Sequence, residues 1–112
     1  MKVSKKAKAL LRRAIDEKWK PIRAGEGVDN GTGNCSLCQE YYEQKYECSG
    51  CPISKKTKRT DCLDTPYWAW ENHQRKTHHS SYPQTVECFS CKRFATRFIN
   101  WLEALYSELT TH

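Results

Sequence analysis

Five of the seven cysteines of this 112-residue chain fall between positions 35 and 62. The first four form two Cys-x-x-Cys pairs, Cys35 with Cys38 and Cys48 with Cys51, separated by nine residues. Each pair makes a tight turn that points two sulfurs at one place. The spacer is long enough to bring the second turn back to the first, so four thiolates can occupy the corners of a tetrahedron, as in a structural zinc site. Cys62 follows closely and can substitute for any one of the four. A disulfide framework suits an odd cysteine count badly, and no secretory leader is visible, so the expectation is a reducing, cytoplasmic setting where clustered thiols bind metal. A redox Cys-x-x-Cys normally stands beside a βαβ pattern, which is missing. Zinc is expected ahead of an iron–sulfur cluster, which the same thiolates leave open.

A third pair, Cys88 and Cys91, has two readings. Both residues fall on the apolar stripe of a C-terminal helix, where a reduced cysteine behaves as a small hydrophobe, and this reading is preferred. The alternative is a second metal site completed by two of Cys62, His73, His78 and His79. Of these His73 and His79 are the first partners to test, since the adjacent His78 and His79 can supply only one comfortable ligand.

Placing those ligands requires a scaffold, and composition limits it. The chain is 38% hydrophobic and 29% charged, with a mean hydropathy of −0.89. A single domain with a thin core is expected, in which a bound metal supplies folding energy. Four Trp, six Tyr and three Phe make that core aromatic. No apolar run approaches the roughly 20 residues that span a bilayer. The formal net charge is +6; zinc held by four thiolates would bring it to about +4. Residues 1–23 carry nine Lys or Arg against two acids, residues 24–54 one against five, and residues 55–112 nine against six. Such a basic arm suits nucleic acid or an acidic protein partner, and no membrane or small-molecule substrate is expected.

Residues 4–20 read as a helix. Ser4 is a candidate cap, and Val3, Ala7, Leu10, Leu11, Ala14, Ile15 and Trp19 fall at helical spacing, with Pro21 as the stop. Lys5, Lys8, Arg12 and Arg13 are candidate phosphate contacts on that helix, joined by Lys55, Lys56, Lys58 and Arg59 in a basic loop over 54–59, and by Lys92, Arg93 and Arg97. Residues 24–34 form a glycine-rich connector without P-loop spacing. A short helix over 39–46 follows, then a helix opened by Thr65 and Pro66 and running to about 76. A polar linker covers 77–82, and the longest helix runs from about 83 to 109. The fold class expected is a small, mostly α, metal-stapled domain. Its zinc-knuckle or ribbon-like module over 24–65 is flanked by the basic helix of 1–23 and by the C-terminal helices of 66–112.

Enzyme signatures are missing. No His-x-Glu accompanies a Pro-Cys-x-x-Cys, no His-Glu-x-x-His occurs, and four thiolates would leave the metal no open position for water. The run from Gly25 through Asn34, Cys35, Leu37, Cys38, Cys48, Cys51, Pro52, Ile53, Thr57, Cys62, Thr65 and Pro66 to Tyr67 resembles small cysteine-rich proteins of phage, bacterial and archaeal genomes. That resemblance covers roughly residues 15–70. It implies a microbial or viral setting, with the host cytoplasm as the location if phage-encoded, and a zinc-like module, but no mechanism. Two functions are therefore expected: a zinc-stabilised nucleic-acid-binding accessory protein, or a phage-type protein-binding modulator of a host or defence complex in which zinc is purely structural.

Overall fold

The computed structural model describes residues 1–43, 51–58 and 65–111. Cys48, Arg59 and Cys62 lie outside them. Ser4 starts the first helix as its sequence context demands: its Oγ accepts the Ala7 N–H at 3.0 Å, satisfying a donor that the helix itself cannot. Helix α1 (Lys5–Arg13) buries Ala7 and Leu11. It passes without a break into a π-helical stretch, Ala14–Trp19, and then α2 (Lys20–Arg23). Pro21 therefore does not end the helix, contrary to expectation. Proline has no N–H to donate, and a widened turn absorbs that loss: the Lys20 N–H reaches the Ile15 carbonyl, five residues back. The wider turn leaves Ile15, Trp19 and Ile22 all in the core.

Trp19 is the centre of that core. Its ring meets Tyr67, Trp70 and Phe98 edge-on at centroid distances of 5.7, 5.5 and 4.8 Å, the arrangement that aromatic quadrupoles favour. Tyr67 and Trp70 come from α5 (Tyr67–Thr77) and Phe98 from α6 (Phe89–Glu108). These two helices pack on each other, and α6 also packs along α1, the π segment and α2. The short α3 (Ser36–Cys38) continues into a second π-helical stretch, Gln39–Glu43, and rests on α1, as does α4 (Pro52–Thr57). The expected basic loop over 54–59 is thus helical as far as Thr57, because Pro52 supplies the preset first-turn φ and Ile53 is buried. A parallel pair of two-residue strands, β1 (Lys2–Val3) and β2 (Thr110–Thr111), ties the beginning of the chain to its end. No helix among the described residues is long and apolar enough to cross a membrane.

The longest helix begins at Phe89, not near 83. Gln84 cannot be helical because it forms a bridge with Asp29: each backbone N–H donates to the other's carbonyl, at 2.8 and 2.9 Å. Asp29 is fully buried and collects donors from four directions. Lys18 Nζ lies 2.9 Å from its Oδ1, the Gly31 N–H donates to Oδ1 at 2.9 Å, and Tyr67 Oη and Trp70 Nε1 donate to Oδ2 at 2.9 and 3.1 Å. A buried carboxylate survives only when paired and hydrogen-bonded in this way. The hub fixes the glycine-rich connector and the segment after α5 to the aromatic core.

Candidate metal centre

The end of α5 determines which histidine points inward. His78 is the C-cap, its N–H bonded to the Gln74 carbonyl at 3.2 Å, and His79 turns left-handed with φ 52°. The Ser80 N–H then returns to the same Gln74 carbonyl at 3.0 Å. This reversal turns the chain after His78 back over the end of the helix and leaves His79 exposed. Histidine is one of the few non-glycine residues that adopts such a φ readily. Ten residues beyond His78 the chain is fully extended at Cys88 (φ −157°), which caps α6, and Cys91 lies in the first turn of that helix.

Four ligand atoms converge there. His73 Nε2 and His78 Nε2 are 3.3 Å apart. Cys88 Sγ lies 3.3 Å from His73 Nε2, 3.4 Å from His78 Nε2 and 3.6 Å from Cys91 Sγ, and Cys91 Sγ is 3.3 Å from His78 Nε2. Taking metal–nitrogen bonds near 2.05 Å and metal–sulfur bonds near 2.3 Å, a tetrahedral zinc requires edges of about 3.4 Å for N–N, 3.6 Å for N–S and 3.8 Å for S–S. The cluster falls 0.1 to 0.3 Å inside that tetrahedron at these five edges, and all four ligand atoms lie within 4.8 Å of one another. Hydrogen bonds alone fill it poorly, since the two Nε2 atoms face each other while both also face Cys88. These residues could hold a metal ion.

The surrounding groups orient the ligands as metal ligands are usually oriented. Thr77 Oγ1 is 3.3 Å from His73 Nδ1. Glu87 Oε2 lies 4.0 Å from His78 Nδ1 and accepts the Ser80 hydroxyl at 3.0 Å. Gln74 Nε2 donates to the Thr85 carbonyl at 2.7 Å and to Cys91 Sγ at 3.4 Å. The backbone N–H of Cys91, then the His73 and His78 rings, bring the Cys88 thiol down to about 6. Burial pushes the Cys91 thiol up. Cys91 is therefore both a core residue, as preferred from sequence, and part of the convergent set. His73 is in that set as well, and His78 occupies the place expected of His79.

The first cysteine module is described in part. Cys35 caps α3, and its Sγ accepts the Cys38 N–H at 3.3 Å. The Ser36 hydroxyl donates to the Leu10 carbonyl at 2.8 Å, which anchors this turn on α1. The Cys38 side chain, followed by the charge of Lys18, lowers the Cys35 thiol to about 6 against the cost of its burial. Cys51 is buried and caps α4, close enough to Tyr41 to help raise that phenol, burial being the larger cause. Cys48 and Cys62, the remaining expected ligands, lie outside the described residues. None of Cys35, Cys38, Cys51, Cys88 and Cys91 is in a disulfide.

The candidate phosphate contacts go to different places. Arg12 makes two bonds of 2.9 Å to Asp16 and also engages Glu103, Arg13 pairs with Glu17 at 3.1 Å, and Lys56 pairs with Glu108 at 2.8 Å. Lys8 lies over the Tyr106 ring, and Lys55 donates to the Lys2 carbonyl at 3.2 Å. Lys5 and Lys58 are exposed, as are Lys92, Arg93 and Arg97 on α6. The sequence carries no acid from Cys88 to Leu102. Comparison of the chain with protein-family models, with curated proteins and with solved structures finds no match.

Proposed function

We propose that the protein is a zinc-stapled, nucleic-acid-binding accessory module and not an enzyme. The observation that carries the proposal is the convergence of His73, His78, Cys88 and Cys91, whose ligand atoms all lie within 4.8 Å of one another. Four protein ligands complete zinc's usual coordination, so the metal's work there is to join α5 to the start of α6. Cys35, Cys38, Cys48 and Cys51, with Cys62 as substitute, supply a second zinc in a knuckle-like module. Nucleic acid is favoured by the net charge of +6 and by the acid-free first half of α6. Three phosphate contacts from Lys92, Arg93 and Arg97 give a log–log salt slope of about −2 to −3. Elemental analysis of protein purified reduced and without chelator, together with titration of labelled DNA at two salt concentrations, tests both halves. Absence of metal removes the staple, and absence of DNA binding at low salt removes the partner.

A second reading, docking on an acidic protein, is favoured by Trp68, which is 51% exposed, and by the engagement of Arg12 and Arg13 with the protein's own acids. On that reading Trp68→Ala speeds dissociation of the captured partner, while DNA binding is weak and unspecific.

A further inference from the structure

We infer that Phe89 is a base-stacking platform for single-stranded nucleic acid, held rigid by the metal centre beside it; this rests on the nucleic-acid reading above. Phe89 is 75% exposed, the most exposed of the large hydrophobic side chains described. It lies between two members of the convergent set, following Cys88 directly and preceding Cys91 by two positions. Its ring is on the face of α6 opposite Cys91, Phe98 and Leu102, which are buried, so it contributes nothing to the core. A metal bound at Cys88 and Cys91 fixes the backbone on both sides of it, and a ring presented without freedom loses little entropy when a ligand arrives.

The same face specifies the partner. Lys92 and Arg93 stand one helical turn from Phe89 on its side of the helix, and both are exposed. An aromatic ring flanked by cations matches a nucleotide, whose base offers a π face and whose backbone offers phosphate. Duplex bases are already stacked on one another, so the ring finds a partner only in an unpaired strand. An acidic peptide would answer the two cations and leave the ring unused.

The experiment uses the full-length, metal-loaded protein with a fluorescent single-stranded oligonucleotide of about 15 nucleotides, near the upper site size of small single-strand binders, and the matching duplex. The native protein should bind the single strand more tightly than the duplex. Phe89→Ala should lose about 5- to 100-fold in single-strand affinity, Phe89→Trp should retain it, and both should keep the native metal content. Lys92→Gln with Arg93→Gln should weaken both DNAs and flatten the salt dependence by about 1 to 2. Single-strand binding that is indifferent to Phe89→Ala, or a preference for duplex, overturns the platform and leaves the nucleic-acid reading intact. Absence of binding to either DNA at low salt overturns that reading and the platform with it.

Discussion

At Cys35 and again at Cys88 a cysteine caps a helix and a second cysteine follows three positions later, inside the first turn. In both places the first thiol is brought down to about 6. The causes differ. Beside Cys35 they are the neighbouring Cys38 and the ammonium of Lys18; beside Cys88 they are the Cys91 backbone and two imidazoles, with the carboxylate of Glu87 close to His78. The contrast fits the charge that each proposed zinc site would carry. Zinc with four thiolates carries −2 and is stabilised by a nearby cation, whereas zinc with two thiolates and two imidazoles is neutral and tolerates a carboxylate. The Cys-x-x-Cys spacing therefore encodes only the turn. What completes each site is decided by the segment folded against it.

Breaking one site and sparing the other gives the largest effect. His78→Ala should remove the metal held by α5 and α6 and destabilise the protein by several kcal/mol, a part of the ~10–16 kcal/mol apparent binding free energy of structural zinc in peptides. His79→Asn, which keeps a residue tolerant of the left-handed φ, should leave metal content and melting temperature unchanged. Equal metal loss in both variants would refute the assignment of His78. Cys35→Ser should retain the His78 site's metal and lose any other, which elemental analysis reads directly.

Next in size is the Lys18–Asp29 pair. Lys18→Met leaves a buried carboxylate without its cation and should cost about 3–5 kcal/mol in denaturant unfolding. It should also raise the Cys35 thiol and leave Cys88 where it is. A Cys35 titration unmoved by this change would remove the electrostatic contrast between the two turns.

In metal-free protein, ultraviolet thiolate absorbance should show Cys35 and Cys88 ionising near pH 6, well before an ordinary cysteine, and Cys91 only at higher pH. Both depressed thiols bind fewer protons folded than unfolded between about 6 and the ordinary value of 9.0. Stability of the metal-free form should therefore rise with pH across that window and fall as pH drops through 6. A flat pH dependence there would argue that neither thiolate is specifically stabilised. The smallest effect belongs to Arg13→Gln, which breaks an exposed ion pair with Glu17 and should change stability by less than about 1 kcal/mol in thermal unfolding.

Local signals were readable from sequence. The Ser4 cap, the stripe of Ala7, Leu11, Ile15 and Trp19, and the helix opened by Thr65 and Pro66 depend on neighbours a few residues away, and each stands as expected; Thr65 Oγ1 accepts the Tyr67 N–H at 3.1 Å. The first six residues of the expected long helix, 83–88, are not helical because Gln84 is committed to Asp29, a partner 55 positions away that no periodicity reveals. Pro21 was misread because a π turn accommodates it. His78 was hidden by its spacing: five residues from His73 is off one helical face, and periodicity does not reveal that the two rings meet at 3.3 Å. A histidine pair at a helix end, followed by serines, was the signal available for the chain reversal after His78.

All four members of the His73 cluster come from a segment of nineteen residues, 73 to 91, whereas Thr110 reaches Met1 across 109 positions. Closing a loop costs entropy that grows with its length, and short closures come first. With a metal bound as proposed at that cluster, the joining of α5 to the start of α6 should thus precede that of β1 to β2, so that an early hairpin of helices forms the surface on which the amino-terminal helix later settles. Order of assembly, and not only final stability, follows from where along the chain those four side chains lie.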